Sequence, residues 1–263
     1  MTVGRPLAEG ERVMLRDRKG RRHLITLQAG GEFHSHSGVV LHDELVGGPE
    51  GRVVRTSRGS AYTVLRPTLS DTVLKMPRGA QVIYPKDLGA ILVMADIFPG
   101  ARVLESGLGS GALSMTLLRA GAHICGVEIR EDFARRAERN VEAALGHDVL
   151  ERYEVAIGDA YQGIDATGLD RIVLDLPEPW QVLSHAPGSM APGGLMVAYT
   201  PTITQALETR RAMDAGPWTD MKTIEVLHRG WHIEGQSVRP NHRMVGHTGF
   251  LTAGRLLATE GTT

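Results

Sequence analysis

The alternation of apolar and polar positions divides this chain into two regimes. Over residues 1–70 the apolar positions fall in short runs with no long helical period. Residues 12–15 and 23–27 read as strands flanking a basic turn at 16–22, and residues 51–56 and 61–65 as a second hairpin around 57–60. Short strands of this kind predict a small barrel or sheet. From residue 71 onward, strand-like runs alternate with helical spacing. Val103 and Leu104 lie in a first buried strand, and residues 122–128, 153–157, 171–176 and 195–199 follow as further strands. Residues 223–227 and 247–256 are late strand candidates. Pro85 suits the first turn of a helix that carries Leu88, Ile91, Leu92 and Ala95 on one stripe. Phe133, Ala137, Val141 and Leu145 recur every fourth residue, with Glu131 and Asp132 at the start and Gly146 at the end of a second helix. Residues 67–80 contain Pro67, Pro77 and a basic segment, and read as a linker. The expectation is a β-rich domain over 1–70 and an α/β domain over 71–263. The second should have a mostly parallel sheet covered on both faces.

The first strand of the α/β region ends in Glu105-Ser106 and runs into Gly107-Leu108-Gly109-Ser110-Gly111, after which helix-forming residues resume. Strand, glycine turn and helix together let backbone approach a nucleotide-like ligand, because glycine has no Cβ and tolerates positive φ. An ordinary surface turn is the competing reading. The spacing is G-x-G-x-G rather than the G-x-G-x-x-G of dinucleotide sites. Glu105, Glu128, Asp159 and Asp175 all fall at the carboxyl ends of predicted strands, where open α/β sheets bind ligands. A strand-end carboxylate such as Glu128 can accept hydrogen bonds from both hydroxyls of a ribose. Acidic strand ends with no phosphate-binding lysine suggest S-adenosylmethionine, which has adenosine and a cationic sulfur but no phosphate.

Composition narrows the alternatives. The chain has 263 residues, 42% of them hydrophobic, which is ample for a core. No apolar run approaches the roughly 18 residues of a membrane span, and the start carries no signal-peptide pattern. The single cysteine, Cys125, lies in a predicted strand and is expected to be a buried hydrophobe in a reducing cytoplasm. A net charge of −1 gives no global case for nucleic-acid binding, so any RNA contact must come from local patches such as the basic turns. His34, His36 and His42 have no thiolate near them in sequence, and no metal site is expected there.

Taken together, four segments resemble the tRNA adenine-N1 methyltransferases that modify position 58 of the T-loop. They are residues 81–87 (QVIYPKD), 103–111 (VLESGLGSG), 173–180 (VLDLPEPW) and 246–251 (GHTGFL). Arg66-Pro67 and residues 76–79 match as well, and the likeness runs from about His34 to the end. The glycine motif is generic to class I methyltransferases, whereas YPKD and DLPEPW are far more specific. Ser106 stands where the family usually has alanine. The resemblance implies a small N-terminal β domain followed by a Rossmann-like class I methyltransferase domain, assembled as a homotetramer, with tRNA as substrate and S-adenosylmethionine as cofactor. It also implies a cofactor pocket lined by Gln81, Glu105, Gly107, Gly109, Ser110, Gly111, Glu128, Arg130, Asp159, Ala160 and Asp175, with Tyr84 and Tyr199 near the target base. A core aromatic of its strand is the rival reading of Tyr199, whereas for Asp159 recognition of the adenine amine is preferred to a turn acid.

Methylation at adenine N1 is an attack by a poor neutral nucleophile that leaves a cationic ring. A carboxylate accepting a hydrogen bond from the exocyclic amine assists it, and Asp175 is the choice, with Glu178 as the alternative acid. Two other functions stay open from the sequence. One is a class I methyltransferase acting on a protein or small molecule. The other is a non-catalytic RNA-binding subunit, against which the intact glycines, Asp175 and Tyr84 argue.

Overall fold

In the computed structural model, which describes residues 4–79 and 81–258, the chain divides into two units, Met1–Met76 and Pro77–Thr263. The first unit is built from β1 (Arg12–Asp17), β2 (Arg22–Thr26), β3 (Glu32–Ser35), β4 (Gly38–Leu41), β5 (Val53–Arg55), β6 (Ala61–Leu65) and α1 (Leu69–Lys75). An antiparallel sheet runs in the order β2-β1-β6-β5, while β3 and β4 form a separate ribbon. Val13, Leu15, Tyr62 and Val64 turn inward and close a core with Leu27, Val40 and Leu45. The two expected hairpins are present. The β3–β4 ribbon, which occupies the histidine-rich stretch, was not anticipated.

The expected linker over 67–80 needs correction, because α1 lies inside it. The Thr68 hydroxyl accepts from the Asp71 amide at 3.1 Å, and the Asp71 carboxylate accepts from the Thr68 amide at 3.1 Å. This reciprocal cap starts the helix, Thr72 and Val73 bury one side of it, and Asp71 also pairs with Arg22 at 2.5 Å.

The second unit contains α2 (Pro85–Met94), β7 (Arg102–Ser106), α3 (Ala112–Arg119), β8 (His123–Glu128), α4 (Glu131–Leu145), β9 (Tyr153–Ile157), β10 (Leu169–Leu174), α5 (Ala186–Ser189), β11 (Met190–Thr200), α6 (Ile203–Asp214), β12 (Trp218–Glu225), β13 (Trp231–Glu234), β14 (Ser237–Pro240) and β15 (Phe250–Leu256). Seven strands form one sheet in the order β12-β15-β11-β10-β7-β8-β9. All neighbours pair in parallel except β15, which runs antiparallel to both β11 and β12. Leu104, Ile172, Leu174, Met196, Ala198 and Trp218 belong to one apolar cluster of this unit. Cys125 is half-buried rather than buried, a free thiol packed at the edge of that cluster. Among the described residues, no helix is long and apolar enough to cross a membrane.

Strand order reverses between β7 and β10. The chain builds outward from β7 through β8 to β9, then returns to the other side of β7 as β10. Connections on the two sides depart in opposite directions, which leaves a crevice at the carboxyl ends of β7 and β10. The glycine turn leaves β7 there, and Asp175 leaves β10 there. β15 starts at Phe250, three residues later than the expected 247; His247 and Thr248 are engaged instead by side-chain contacts, His247 with Glu225 and Pro201, and Thr248 with Tyr199, Lys86 and Asp87.

Candidate active site

Glycine is required in the turn after β7 for two different reasons. A Cβ on Gly107 would lie 2.1 Å from the carbonyl oxygen of Asp175, so only glycine lets the two strand ends touch. A Cβ on Gly111, at φ +82°, would crowd Ala137 of α4 at 3.1 Å and separate α3 from α4. Over Gly109 a Cβ would meet nothing within 4 Å, so the turn has open space at its centre.

The amides of the turn's three glycines are already used. Gly107 N–H donates to Val127 O at 3.2 Å, Gly109 N–H to Glu128 Oε2 at 3.2 Å, and Gly111 N–H to Leu108 O at 2.8 Å. A phosphate-binding turn keeps such donors free; here a carboxylate occupies the central one. The other oxygen of Glu128 accepts from the Arg130 amide at 3.1 Å. Each oxygen keeps further acceptor capacity, and the carboxylate is fixed in place and almost fully buried. It can hold a pair of ligand hydroxyls, and it repels a pyrophosphate.

Two more carboxyls share this site. Glu105 is fully buried beneath the turn. Its Oε1 accepts from Ser114 Oγ at 3.0 Å, and Ser114 Oγ accepts from Tyr153 Oη at 3.0 Å. Its Oε2 has no partner. Burial, reinforced by the charges of Asp175 and Glu128, pushes the Glu105 carboxyl up to about 8. Asp175 keeps part of its surface at the mouth of the crevice, but desolvation dominates at its carboxyl. Together with the charge of Glu128 it pushes Asp175 up to about 7. Three acids therefore feel one another beside the turn, with an orphaned buried oxygen among them. That donor set fits a cationic, hydroxyl-bearing, phosphate-free ligand.

A second cluster stands beside the first. Tyr199, at the end of β11, donates its hydroxyl to Thr248 O at 2.6 Å. Its phenol is pushed up to about 12 by burial and by the charges of Asp87 and Asp175, with a smaller effect from Tyr84. Tyr84 is the half-buried N-cap of α2. Tyr84 and Asp175 are thus each within electrostatic reach of Tyr199. Lys86 Nζ donates to Asp87 at 2.8 Å, to Val226 O at 2.7 Å and to Thr248 Oγ1 at 2.5 Å. Thr248 in turn donates to the other Asp87 oxygen at 2.7 Å. Gly249 passes so close to the Tyr199 ring that a Cβ would fall 2.5 Å from it. Lys86, Asp87, Thr248 and Gly249 lie in the segments 81–87 and 246–251, and the sequence alone assigns them no role. The available signal was an adjacent Lys-Asp pair at the start of an apolar helix, since charges are rarely buried unless paired.

The remaining expected residues are more dispersed. Ser110 is buried, and its Oγ accepts from Gly79 N–H at 3.4 Å, while its carbonyl accepts from Asn140 Nδ2 at 3.0 Å. Gln81 is exposed in the segment before α2. The Arg130 side chain turns away to Asp132 at 3.1 Å and covers the Phe133 ring. Asp159 accepts from the Tyr161 amide at 3.0 Å, a turn contact, and the Ala160 side chain packs in the core. Glu178 is tied to Gln181 and is exposed. His34 pairs with Glu32, His36 with Arg21, and His42 accepts from the Gln28 amide; among the described residues no cluster of metal-ligating side chains is found.

Residues 61–240 match the family described as the tRNA methyltransferase complex GCD14 subunit, and residues 6–54 match the TrmI-like N-terminal family. A Thermus thermophilus tRNA (adenine(58)-N(1))-methyltransferase, TrmI, is 40% identical over 92% of this chain and 95% of its own length. A Thermotoga maritima protein described as a SAM-dependent O-methyltransferase superposes with a TM-score of 0.91, at 30% identity over 96% of this chain and 95% of its own. TrmI of Aquifex aeolicus superposes at 0.85, with 28% identity over 97% of this chain and all of its own. With the family match extending over most of the chain and a relative this similar along nearly its whole length, the chain belongs to the TrmI/GCD14 family of tRNA methyltransferases.

Proposed function

We propose that the protein transfers the methyl group of S-adenosylmethionine to N1 of adenine 58 in the T-loop of tRNA. The observation that carries this reading is the full-length similarity to a tRNA (adenine(58)-N(1))-methyltransferase in a chain whose Asp175 and glycine turn meet at the switch-point crevice. When bound, S-adenosylmethionine supplies an electrophilic methyl on a cationic sulfur. Glu128 holds the ribose hydroxyls. Glu105, beneath the turn, backs the polar end of the cofactor from below, with Gln81, Gly107, Gly109, Ser110, Gly111 and Arg130 around the pocket and Asp159-Ala160 at the adenine. Asp175 accepts the hydrogen bond of the target base's exocyclic amine, which raises the nucleophilicity of N1 and stabilises the positive charge that develops on the ring. Such assistance contributes about 10²–10⁴ in rate, and orientation of the two reactants supplies much of the rest. Tyr84 and Tyr199 flank the extruded base, which has to leave the folded loop to be reached.

The protein works as a homotetramer in the cytoplasm. The tetramer is supported by an exposed apolar hairpin face on β13–β14, and the location by a lone free thiol. The test is incubation of unmodified tRNA with labelled S-adenosylmethionine, followed by nucleoside analysis and mapping of positions 57 and 58. N1-methyladenosine at 58, lost when adenine 58 is replaced, is the expected product. A 2′-O-methylated nucleoside would instead favour an O-methyltransferase, and labelling of protein without tRNA would overturn the reading.

A further inference from the structure

Three turns of the first unit are fastened together. Thr56 Oγ1 donates to Ser37 O at 2.5 Å, Ser57 N–H donates to Val39 O at 2.8 Å, and the Val39 amide donates to Ser57 Oγ at 3.1 Å. Gly38 is buried at this junction, where a Cβ would lie 2.8 Å from Ser57 Oγ and 2.9 Å from the Arg58 amide. The β1–β2 turn joins the same group, because Arg21 reaches His36 Nε2 at 3.1 Å. Between the turns lies an open cavity of about 450 Å³ with Tyr62 among its lining residues.

The charge in this cavity is one-sided. Arg18, Lys19, Arg21, Arg55 and Arg58 line it, and Asp17 is the one carboxylate among the lining residues. Asp17 is engaged by Arg21 at 2.6 Å, so it does not offset the others. Arg55 and Arg58 each contact a backbone carbonyl, Gly59 O at 3.0 Å and His36 O at 3.3 Å. Both are exposed, as are Arg18 and Lys19. This differs from the basic turn read in the sequence. There Arg16, Arg18, Arg21 and Arg22 form one run, but Arg21 and Arg22 are committed to Asp17 and Asp71. The uncompensated charge comes from residues some 40 positions apart, gathered by the pairing of turns.

We propose that this cavity is a binding site for backbone phosphates of RNA, gripping the tRNA substrate with residues that the catalytic crevice does not use. The proposal rests on the tRNA methyltransferase reading. Guanidinium groups match phosphate oxygens in a two-pronged fashion. A rigid, polar, open cavity with several of them suits consecutive phosphodiesters of a strand better than an apolar ligand. It also gives a near-neutral chain the local positive patch that RNA binding demands.

The test uses the full-length protein with two double variants, Arg18→Ala/Lys19→Ala and Arg55→Ala/Arg58→Ala, beside the charge-preserving Arg55→Lys/Arg58→Lys. Affinity for tRNA is measured by fluorescence anisotropy across a salt series, with turnover at saturating tRNA and cofactor affinity measured in parallel. Each alanine pair is expected to weaken tRNA binding about tenfold and to lower the logarithmic salt slope by about 1 per lost contact. Saturated turnover and cofactor affinity stay within twofold, and the lysine pair retains most affinity. Folded alanine variants with wild-type affinity and salt slope overturn the cavity while leaving the tRNA reading intact. A wild-type protein that neither binds nor methylates tRNA overturns both. Calorimetry with inorganic phosphate and pyrophosphate is the second arm. Tight binding of the free anion, abolished in variants that bind tRNA normally, would assign the cavity to a small anion and overturn the RNA proposal.

Discussion

Asp175 is the residue on which the chemistry turns, and its environment predicts how it behaves. A carboxyl raised to about 7 is half protonated at neutral pH in the ligand-free enzyme, and the ionised form is the stronger acceptor and carries the charge that stabilises the cationic ring. The profile of kcat/KM against pH should therefore rise through an apparent pKa near 7. Asp175→Asn should lose that rising limb, and in single turnover with both ligands saturating it should be about 10²–10⁴ slower. A variant rate within a few-fold of wild type would remove Asp175 from this role, and a loss confined to cofactor affinity would make it a binding residue. Glu105 adds a stability consequence. Both carboxyls hold protons up to pH 7–8 that the unfolded chain releases near pH 4. The native state then binds more protons across that window, so stability falls as pH rises through it. His247 acts in the same direction. Both its ring nitrogens face acceptors, Glu225 Oε1 and Pro201 O at 2.7 Å, which favours the imidazolium and raises its pKa. That stabilisation is present at low pH and is lost as pH passes the raised value. Urea titrations of the ligand-free protein should give a lower midpoint at pH 8 than at pH 5.5. The reverse order would mean that these acids are ionised in the native state.

At the scale of elements, the loop before β15 is a clamp that ties the start of α2 to the end of β11. Its centre is the ion pair of Lys86 and Asp87, whose side chains are 7% and 0% exposed. Removing one partner of a buried pair leaves an uncompensated charge and costs about 3–5 kcal/mol. Lys86→Met should show that loss in urea melts, and Lys86→Met/Asp87→Asn should recover much of it. If the single variant melts within about 1 kcal/mol of wild type, the pair is not what holds the clamp. This clamp also marks the limit of what sequence reading reached. The strands β9 and β10, the helix α4 and the glycine turn were legible because local periodicity and caps produce them. The spacing of the carboxylates along the chain likewise placed Glu128 and Asp175 at strand ends. The roles of Thr248 and Gly249 depend on groups about 160 and 50 residues away, which no local pattern encodes. α1 was obscured by its flanking prolines, although Thr68 and Asp71 spell out its cap. The β13–β14 hairpin alternates apolar and polar residues around Gly235-Gln236, a local signal of the same kind as those of the two N-terminal hairpins.

Over the whole molecule, a chain of net charge −1 keeps its charges sorted. Carboxylates gather at the strand ends of the second unit, and uncompensated cations at the turns of the first. Apolar surface is sorted in the same way, and the hairpin shows it best. Register pairs Trp231 with Pro240 and Ile233 with Val238, while His232 faces Arg239 and Glu234 faces Ser237. One face is therefore apolar and the other polar. The apolar face is not covered: Trp231 is 59%, Ile233 73% and Val238 61% accessible. Among the described residues these two strands pair only with each other, and a two-stranded hairpin is at best marginally stable alone in water. Leu227 and Val245, on the segments flanking the hairpin, are exposed too. An apolar face of this kind marks a contact surface, and a second copy of the chain is the occupant that the proposed homotetramer supplies. Trp231→Asp/Ile233→Asp places charge on that face without touching Glu128, Asp175 or the clamp. Sedimentation of the wild type should give a tetramer, and the variant should fall to dimers or monomers that still bind S-adenosylmethionine. A variant that sediments as wild type would show that the hairpin is not the contact. A monomeric wild type would remove the tetramer itself.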